Sequence, residues 1–311
     1  MMLTSDASNI GLEGVKPQVV PTVTERAHMA CMLCGGRGKQ LFAKFGYLVA
    51  RCEVCGLVYC DHRPSLNEVV LFYSEEYFKG GIDRRGYFDY EADEALLKAS
   101  FLPKLQLVNR LAPRIGSLLD VGCAAGYFME VAREAGWRPY GVEASLYAAR
   151  QAKRRGLLVV HGISLDMFRS EQFDAVTLWD VLEHLPDPLA ALKAVHYALR
   201  PDGLLALCTG RIDSWLARLS GQGSRIYNPP QHLFFFSRAS IEKLLTMAGF
   251  EVLKVMMDKK IVSLRYLLHM YRSFSGNGAL PRMAARLLRS SFNMRIPLWI
   301  PDNMNVFARK L

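Results

Sequence analysis

The chain has 311 residues, of which 51% are hydrophobic and 22% charged, and its formal net charge is +10. This length and balance exclude a wholly disordered or fibrous chain and leave room for two domains with a large core. No uncharged apolar run reaches the roughly 18 residues that a membrane-spanning helix needs, so none is expected.

The positive charge is concentrated near the carboxyl end. Between Lys259 and Leu311 there are ten basic residues and one acid, so this segment carries +9 and residues 1–258 carry +1. A protein that is basic throughout is therefore excluded, and the excess charge belongs to one segment.

The beginning of the chain shows no targeting or folding pattern. Met1–Asp6 lack the basic stretch and apolar run of a secretory signal. We therefore expect a cytoplasmic protein, with peripheral membrane contact as an option. Residues 1–28 have no periodic apolar face and are predicted to form a flexible tail.

Four of the seven cysteines form two pairs that are separated by seventeen residues. In a reducing compartment, clustered thiols are more often metal ligands than disulfides. The spacing is typical of a four-thiolate tetrahedral zinc site, which leaves no open coordination position and is therefore structural. Iron remains open as the alternative metal. We predict a zinc ribbon over residues 29–64, with the ligands Cys31, Cys34, Cys52 and Cys55, and buried non-ligand thiols at Cys60, Cys123 and Cys208.

Beyond the ribbon, residues 65–113 have a helical, aromatic-rich pattern that predicts a cap. From residue 114 to 311, short apolar runs alternate with amphipathic stretches, which is typical of a parallel sheet with crossover helices. This pattern predicts an α/β fold. The candidate strands are 116–121, 138–142, 157–160, 173–178, 203–208 and 250–256.

The segment Leu118–Gly126 follows the first of these strands and opens a helix. Gly122 and Gly126 would allow a ligand to approach the backbone, and the helix terminus adds N–H donors. Glu143 ends the next strand, where an acid can bind ribose hydroxyls. A dinucleotide site shares these features, but the Asp120 carboxylate would repel a pyrophosphate and would suit a cationic ligand.

These residues resemble the class I S-adenosylmethionine-dependent methyltransferases. The similarity lies in Asp120–Gly126, Gly141–Glu143, Phe173–Leu185 and, at the end of the chain, Asp302–Lys310. It implies a Rossmann-like doubly wound sheet with an antiparallel seventh strand, and S-adenosylmethionine as the cofactor. Together with the ribbon and helical lid segments, this is the predicted architecture.

The resemblance also implies a set of cofactor-binding residues. The loop after the first strand would hold the amino-acid part of the cofactor, Glu143 the ribose, and the loop around Ser164–Asp166 would lie beside the adenine. The predicted set is Asp120, Gly122, Cys123, Gly126, Glu143, Asp166 and Trp179.

A cluster of acids and histidines follows the fourth strand. His184 is the leading candidate for a general base because it lies at the carboxyl edge of the sheet, where ligands bind. Glu183 and His232 complete the predicted catalytic set. Relatives such as ubiquinone-pathway O-methyltransferases bind a divalent ion through a similar set, so Mg²⁺ at Asp180, Glu183 and His184 is a further option, beside a purely structural role.

The basic segment is predicted to be a helical insertion at about 259–300. Apolar residues from Ile261 to Phe274 repeat at helical spacing, and Arg282, Arg286 and Arg289 share one face. Its place before the seventh strand puts it beside the acceptor pocket. A solvated lid, a membrane surface, a phosphorylated or lipid-linked substrate and nucleic acid all suit this pattern.

The favoured function is methyl transfer to a small-molecule acceptor, with a sugar- or lipid-linked molecule as an option. The alternative is an RNA methyltransferase that binds RNA through the ribbon and the basic segment. Residues 29–64 carry only +3, which makes nucleic acid the less favoured partner. Loss of catalysis is disfavoured because Asp120 and Glu143 are both present.

Overall fold

The computed structural model describes residues 30–62, 64, 68, 73, 78, 93–263 and 295–311. The predicted tail, most of the predicted cap before residue 93 and the middle of the predicted insertion lie outside this part of the chain. Within it, none of the helices combines the length and the apolar character needed to cross a membrane.

The centre of the fold is a seven-stranded sheet. Its strands are β4 (Ser117–Val121), β5 (Arg138–Glu143), β6 (Leu158–His161), β7 (Phe173–Trp179), β8 (Leu199–Gly210), β10 (Phe250–Ser263) and β11 (Arg295–Lys310). The order across the sheet is β10-β11-β8-β7-β4-β5-β6. Strands β4 to β8 pair in parallel, and β11 runs antiparallel between β8 and β10. The predicted doubly wound sheet with its antiparallel seventh strand is confirmed.

The inner strands are apolar on both faces because each face is covered. Leu119 and Val176 belong to one buried cluster, and their neighbours Leu118 and Ala175 belong to another. Successive side chains of a strand point to opposite faces, so burial of both faces requires the continuous apolar runs seen in the sequence.

Six helices of the described chain connect or cover these strands. They are α1 (Glu94–Leu111), α2 (Tyr127–Glu134), α3 (Leu146–Arg154), α4 (Pro188–Ala198), α5 (Trp215–Ser220) and α6 (Arg238–Met247). The side chain of Asp187 caps α4, with Pro188 at its first position, as the sequence predicts. Helix α1 is the described part of the predicted cap.

The cysteine-rich segment forms a second sheet. Its strands are β1 (Gly38–Lys44), β2 (Tyr47–Cys52) and β3 (Val58–Cys60). A fourth strand, β9 (Phe234–Phe235), comes from the other end of the chain and pairs with β3. The ribbon is therefore completed by the larger domain, which the sequence did not predict.

The predicted helical insertion is wrong at both of its ends. Strand β10 continues to Ser263, and β11 already begins at Arg295, with Ser263 paired to Arg295. The pairing of Ile261 with Pro297 places the start of the supposed helical stripe in an antiparallel ladder. The ladder hydrogen bonds outweigh a weak helical periodicity. Residues 264–294 lie outside the described part, so their predicted helices remain predictions.

A buried ion pair joins α1 to β10. The Lys104 ammonium lies 3.0 Å from Asp258, and the side chains are 6% and 0% exposed. The same ammonium lies 5.0 Å from the centre of the Trp179 ring. The Asn305 side-chain amide donates a hydrogen bond to the same Asp258 oxygen, Oδ1, that Lys104 contacts. Because both charges are out of water, each depends on the other.

Replacing Lys104 with Met would leave the Asp258 carboxylate buried without its cation. We expect the free energy of unfolding to fall by about 3–5 kcal/mol. The matched control is Lys98→Met, because Lys98 belongs to a partly exposed ion-pair network and should cost less than about 1 kcal/mol. Urea unfolding measures both, and equal losses would contradict a special role for the buried pair.

Candidate active site

A cavity of about 220 Å³ lies at the carboxyl edge of the large sheet. Three strands, β4, β5 and β7, end at this edge, and α1 and the end of β10 close its other sides. Its walls combine apolar and aromatic side chains with a few charged ones, which is the usual composition of a small-molecule site. The charged lining residues are Asp93, Lys104, Asp120, Glu143, Asp180 and Lys260.

The loop after β4 has a left-handed backbone at both of its glycines. Gly122 and Gly126 have φ angles of +68° and +84°. A Cβ atom on Gly122 would lie 2.5 Å from Val181, and one on Gly126 would collide with Leu157. Both clashes are with side chains of the protein, Val181 and Leu157. Packing of the loop against its neighbours is therefore enough to require glycine at these two positions.

Two buried carboxylates occupy one end of the cavity. Asp120 accepts a hydrogen bond of 2.6 Å from the Thr177 hydroxyl, and burial, with a smaller contribution from the charge of Glu143, raises the pKa of Asp120 to about 7. Glu143 accepts N–H bonds of 2.8 Å from Ala124 and 2.7 Å from Ser145, and burial raises its pKa as well. Neither carboxylate has an ion-pair partner among the described residues. A cationic ligand would supply the missing charge.

The remaining residues of the predicted cofactor set divide into two groups. Cys123 and Trp179 line the cavity, as do Gly122, Asp120 and Glu143. Gly126 precedes α2 at its N-terminus. Asp166 is exposed and hydrogen bonds to Ser164, outside the lining, so its role stays a prediction.

Three further residues line the cavity that the sequence did not indicate. They are Ala144, Gly162 and Ile163, whose side chains are apolar or absent and so give no sign of a binding role.

Asp180 is held away from the neighbouring acid and histidine. Its carboxylate oxygens contact the Lys260 ammonium at 3.1 Å and the Asn303 amide at 3.1 Å. Burial alone would raise the pKa of Asp180, but Lys260 and Lys104 hold it below its usual value. The backbone of Asp180 has a φ of +55°, which turns the chain between β7 and the following turn. Lys260 and Asn303 were not predicted as site residues, because Lys260 was assigned to the helical insertion and Asn303 belongs to no motif that indicates a ligand.

Glu183, His184 and His232 do come together. One ligand atom from each lies within 4.8 Å of the other two. His184 Nδ1 lies 2.8 Å from the Gln231 carbonyl oxygen, and His232 Nδ1 lies 2.7 Å from the Ile226 carbonyl oxygen. A carbonyl oxygen only accepts, so both rings carry their proton on Nδ1 and present the lone pair of Nε2.

Glu183 is the third member of this cluster and is 4% exposed. Its Oε2 atom has no hydrogen-bond partner within the described residues. Burial, followed by the charge of Asp180, raises the pKa of Glu183, and burial lowers the pKa of both His184 and His232. A buried carboxyl group beside two imidazole lone pairs is a set of donor atoms that a divalent cation would complete by taking the place of the carboxyl proton. Asp180, which the predicted magnesium set included, is not part of it.

The four predicted zinc ligands also converge. All four Sγ atoms lie within 4.8 Å of one another, and two pairs, Cys31–Cys55 and Cys34–Cys52, are 3.4 Å apart. Four thiolates at the usual Zn–S distance would be about 3.8 Å apart. The residues therefore fit a tetrahedral zinc ion. Cys60, Cys123 and Cys208 lie outside the cluster and are buried, as predicted.

Comparison with known proteins gives one family match. The profile of the methyltransferase domain family matches residues 91–255. The ubiquinone biosynthesis O-methyltransferase of Haemophilus ducreyi is 32% identical over 104 residues, which are 30% of this chain and 44% of that protein. The enzyme of the same name from Xanthomonas axonopodis pv. citri is 30% identical over 147 residues, or 44% of this chain and 62% of that protein. The chain thus spans about half the length of the curated relatives it matches.

Among solved structures, a Burkholderia thailandensis 1,6-didemethyltoxoflavin-N1-methyltransferase with bound 1,6-didemethyltoxoflavin and S-adenosylhomocysteine is also similar. It is 18% identical, with a TM-score of 0.49, and the match covers 88% of this chain and 99% of that chain.

Elemental analysis of the purified protein should find about one zinc ion per chain, because four thiolates complete its coordination. Cys31→Ser removes one ligand and should lose the metal. Cys60→Ser is the matched control, since Cys60 is equally buried but lies outside the cluster, and it should keep the metal. A folded wild-type protein without metal would contradict the assignment.

Proposed function

The chain belongs to the methyltransferase domain family, and we propose that it transfers the methyl group of S-adenosylmethionine to a hydroxyl group of a small molecule. One observation carries the proposal. A single cavity extends from the buried acids Asp120 and Glu143 to His184. A donor at the acidic end and an acceptor beside the histidine would share one enclosed volume, as a direct transfer requires.

The acidic end suits the cofactor. Asp120 would take the ammonium group, and Glu143, already oriented by two backbone N–H donors, would accept from the ribose hydroxyls. Bound there, S-adenosylmethionine supplies an electrophilic methyl group on a sulfonium. The side chains of the cavity then hold the two reactants in line and exclude water.

The other end of the cavity suits an acceptor that must lose a proton. His184 presents its Nε2 lone pair, and its lowered pKa keeps the ring neutral near pH 7. A neutral imidazole at this position can take the proton of a hydroxyl group as the methyl group transfers. The similar relatives are named as O-methyltransferases, which agrees with a hydroxyl acceptor.

The lining favours a flat, apolar acceptor. Phe78, Phe101, Phe128 and Trp179 all line the cavity, and aromatic walls bind planar rings well. We therefore favour a phenol over the sugar- or lipid-linked acceptor. The RNA alternative stays a prediction, because most of the basic segment lies outside the described residues.

The same cluster has the donor set of a second metal site. Glu183, His184 and His232 would hold a divalent ion and leave positions open for an acceptor oxygen, whose acidity the ion would increase. Two imidazoles and one carboxylate favour Mn²⁺ or Fe²⁺ over the predicted Mg²⁺. The convergence of the three ligand atoms to within 4.8 Å of one another is the observation that supports this role.

Calorimetry with S-adenosylhomocysteine tests the proposed cofactor site. Asp120→Asn and Glu143→Gln should each weaken binding about 10- to 100-fold, because each removes a charged hydrogen-bond acceptor. Glu134→Gln changes an exposed acid at the end of α2, outside the cavity lining, and is the control that should bind like wild type. If the wild-type protein releases no heat with either the cofactor or its demethylated product, the proposal fails.

The pH dependence of this binding has a definite sign. Asp120 has a pKa of about 7 in the free protein, so below pH 7 it is mostly protonated and must lose a proton to pair with the ammonium. Affinity for S-adenosylhomocysteine should therefore fall, approaching about tenfold for each pH unit below 7, and level off above it. Asp120→Asn should remove this part of the pH dependence, and what remains would come from Glu143, whose pKa burial also raises. A wild-type profile that is flat between about pH 5.5 and 8 would contradict this prediction, because Asp120 would then not be the titrating group.

The acceptor end is tested with a radiolabelled methyl donor and a panel of phenols, sugars and lipid-linked alcohols. Against the best acceptor, His184→Ala should lower turnover about 10²- to 10⁴-fold while leaving cofactor affinity unchanged. His196→Ala, which alters a histidine packed on Phe250, is the control.

Titration of the zinc-loaded protein with Mn²⁺ separates the two proposed roles of Glu183, His184 and His232, as a metal site or as a base. Binding that is lost in His232→Ala supports the metal, and no binding leaves His184 as a simple base.

A further inference from the structure

The ribbon is joined to the candidate active site by a short series of hydrogen bonds. The second cysteine pair leads directly into β3, since the Cys52 amide donates to the Leu57 carbonyl oxygen at 2.8 Å. Strand β3 then pairs with β9, with Val58 opposite Phe235 and Tyr59 opposite Phe234. Only a few residues therefore separate the cysteine ligands from the loop that carries His232.

Leu233 connects this ladder to the catalytic cluster. Its carbonyl oxygen accepts from the Cys60 amide at 2.7 Å, and its own amide donates to the Glu183 carbonyl oxygen at 2.8 Å. Leu233 directly follows His232. Gln231, the residue before His232, accepts a hydrogen bond from the His184 ring at its carbonyl oxygen. The backbone of one residue thus fixes the spacing between β3 and all three members of the cluster.

Packing follows the same path. Cys31, Cys52 and Tyr59 of the ribbon belong to one continuous buried cluster with Leu182 and Leu233, and each of them is at most 2% exposed. A ribbon of this size buries too little apolar surface to fold without a metal or a partner. Its order should therefore depend on the metal in addition to its contacts with β9, and the order of its neighbour Leu233 should depend on the ribbon.

We propose that the four-cysteine ribbon positions the acceptor end of the active site: its metal orders β3, and β3 holds Leu233 and hence Glu183, His184 and His232 in place. The catalytic meaning of this role rests on the proposed function. The cofactor end is outside the path, because Asp120 and Glu143 are held by β4, β5, β7 and their loops. Leu233 is thereby assigned as a positioning residue, which acts through its backbone hydrogen bonds to Cys60 and Glu183.

The test compares the wild-type protein with three variants, all supplemented with zinc. Cys55→Ser removes a ligand, Cys55→His keeps a metal-binding side chain, and Val54→Ser changes an exposed residue of the same turn as a matched control. The readouts are metal content, amide exchange at Cys60 and Leu233, and the tautomers of His184 and His232 from imidazole nitrogen resonances. Calorimetry with S-adenosylhomocysteine is run on the same samples.

Exchange at Cys60 and Leu233 should accelerate at least about tenfold in Cys55→Ser, and both histidines should lose the Nδ1–H tautomer. Cys55→His and Val54→Ser should behave like wild type, and all four proteins should bind S-adenosylhomocysteine equally. If metal is lost but the two amides and both tautomers are unchanged, the proposal is overturned. Equal acceleration throughout β4 and β8 would also overturn it, since the ribbon would then affect the whole fold.

If Cys55→Ser does not fold, the wild-type protein carries the test. Exchange at Leu233 and Cys60 should slow as buffered free zinc rises through the affinity of the ribbon, while exchange in β4 stays constant. Independence from zinc would refute the proposal. Failure of the proposed function is separate, because it would appear as no binding of S-adenosylhomocysteine by wild-type protein whose amides still respond to zinc.

Discussion

Burial of both faces of the parallel strands is the constraint on which the rest of the structure depends. It fixes the register of β4, β5 and β7, because a shift by one residue would exchange the two apolar clusters that cover the sheet. With that register set, Asp120 lies beside Thr177 across the pair of strands and Glu143 ends the neighbouring one. The polar residues therefore reach the same edge as a consequence of how the apolar ones pack.

The same constraint explains what could be predicted. Continuous apolar runs identified six strands, and the cysteine spacing identified the convergent thiols, since both signals are local. Strand β9 could not be predicted, because Phe234 and Phe235 form too short a run and their partner β3 lies near the other end of the chain. The start of the basic segment was misread because the apolar residues from Ile261 onward fit a helical period, although Ile261 itself lies in the ladder of β10.

In the candidate site, sequence proximity was informative for some residues and misleading for others. Asp120 and Glu143 follow strands and reach the cavity as expected. Asp180 is three residues from Glu183, yet its left-handed backbone turns it toward Lys260 and Asn303. His232 takes its place beside Glu183 and His184 because the loop before β9 is anchored on the same turn. Spacing along the chain cannot show such a choice when a backbone torsion decides it.

The pairing of Ser263 with Arg295 has a consequence for how this protein can vary. Because β10 and β11 pair as far as Ser263 and Arg295, they hold the two ends of residues 264–294 together. The entropy lost in bringing those ends together is therefore offset by the pairing of the strands, and does not depend on the sequence between them. Loop-closure entropy grows only slowly with length. Substitution, lengthening or shortening within these residues should therefore be tolerated by the sheet. Lys260 and Ile261 of β10 line the cavity, so the ladder that joins these two ends also holds part of the cavity wall in place.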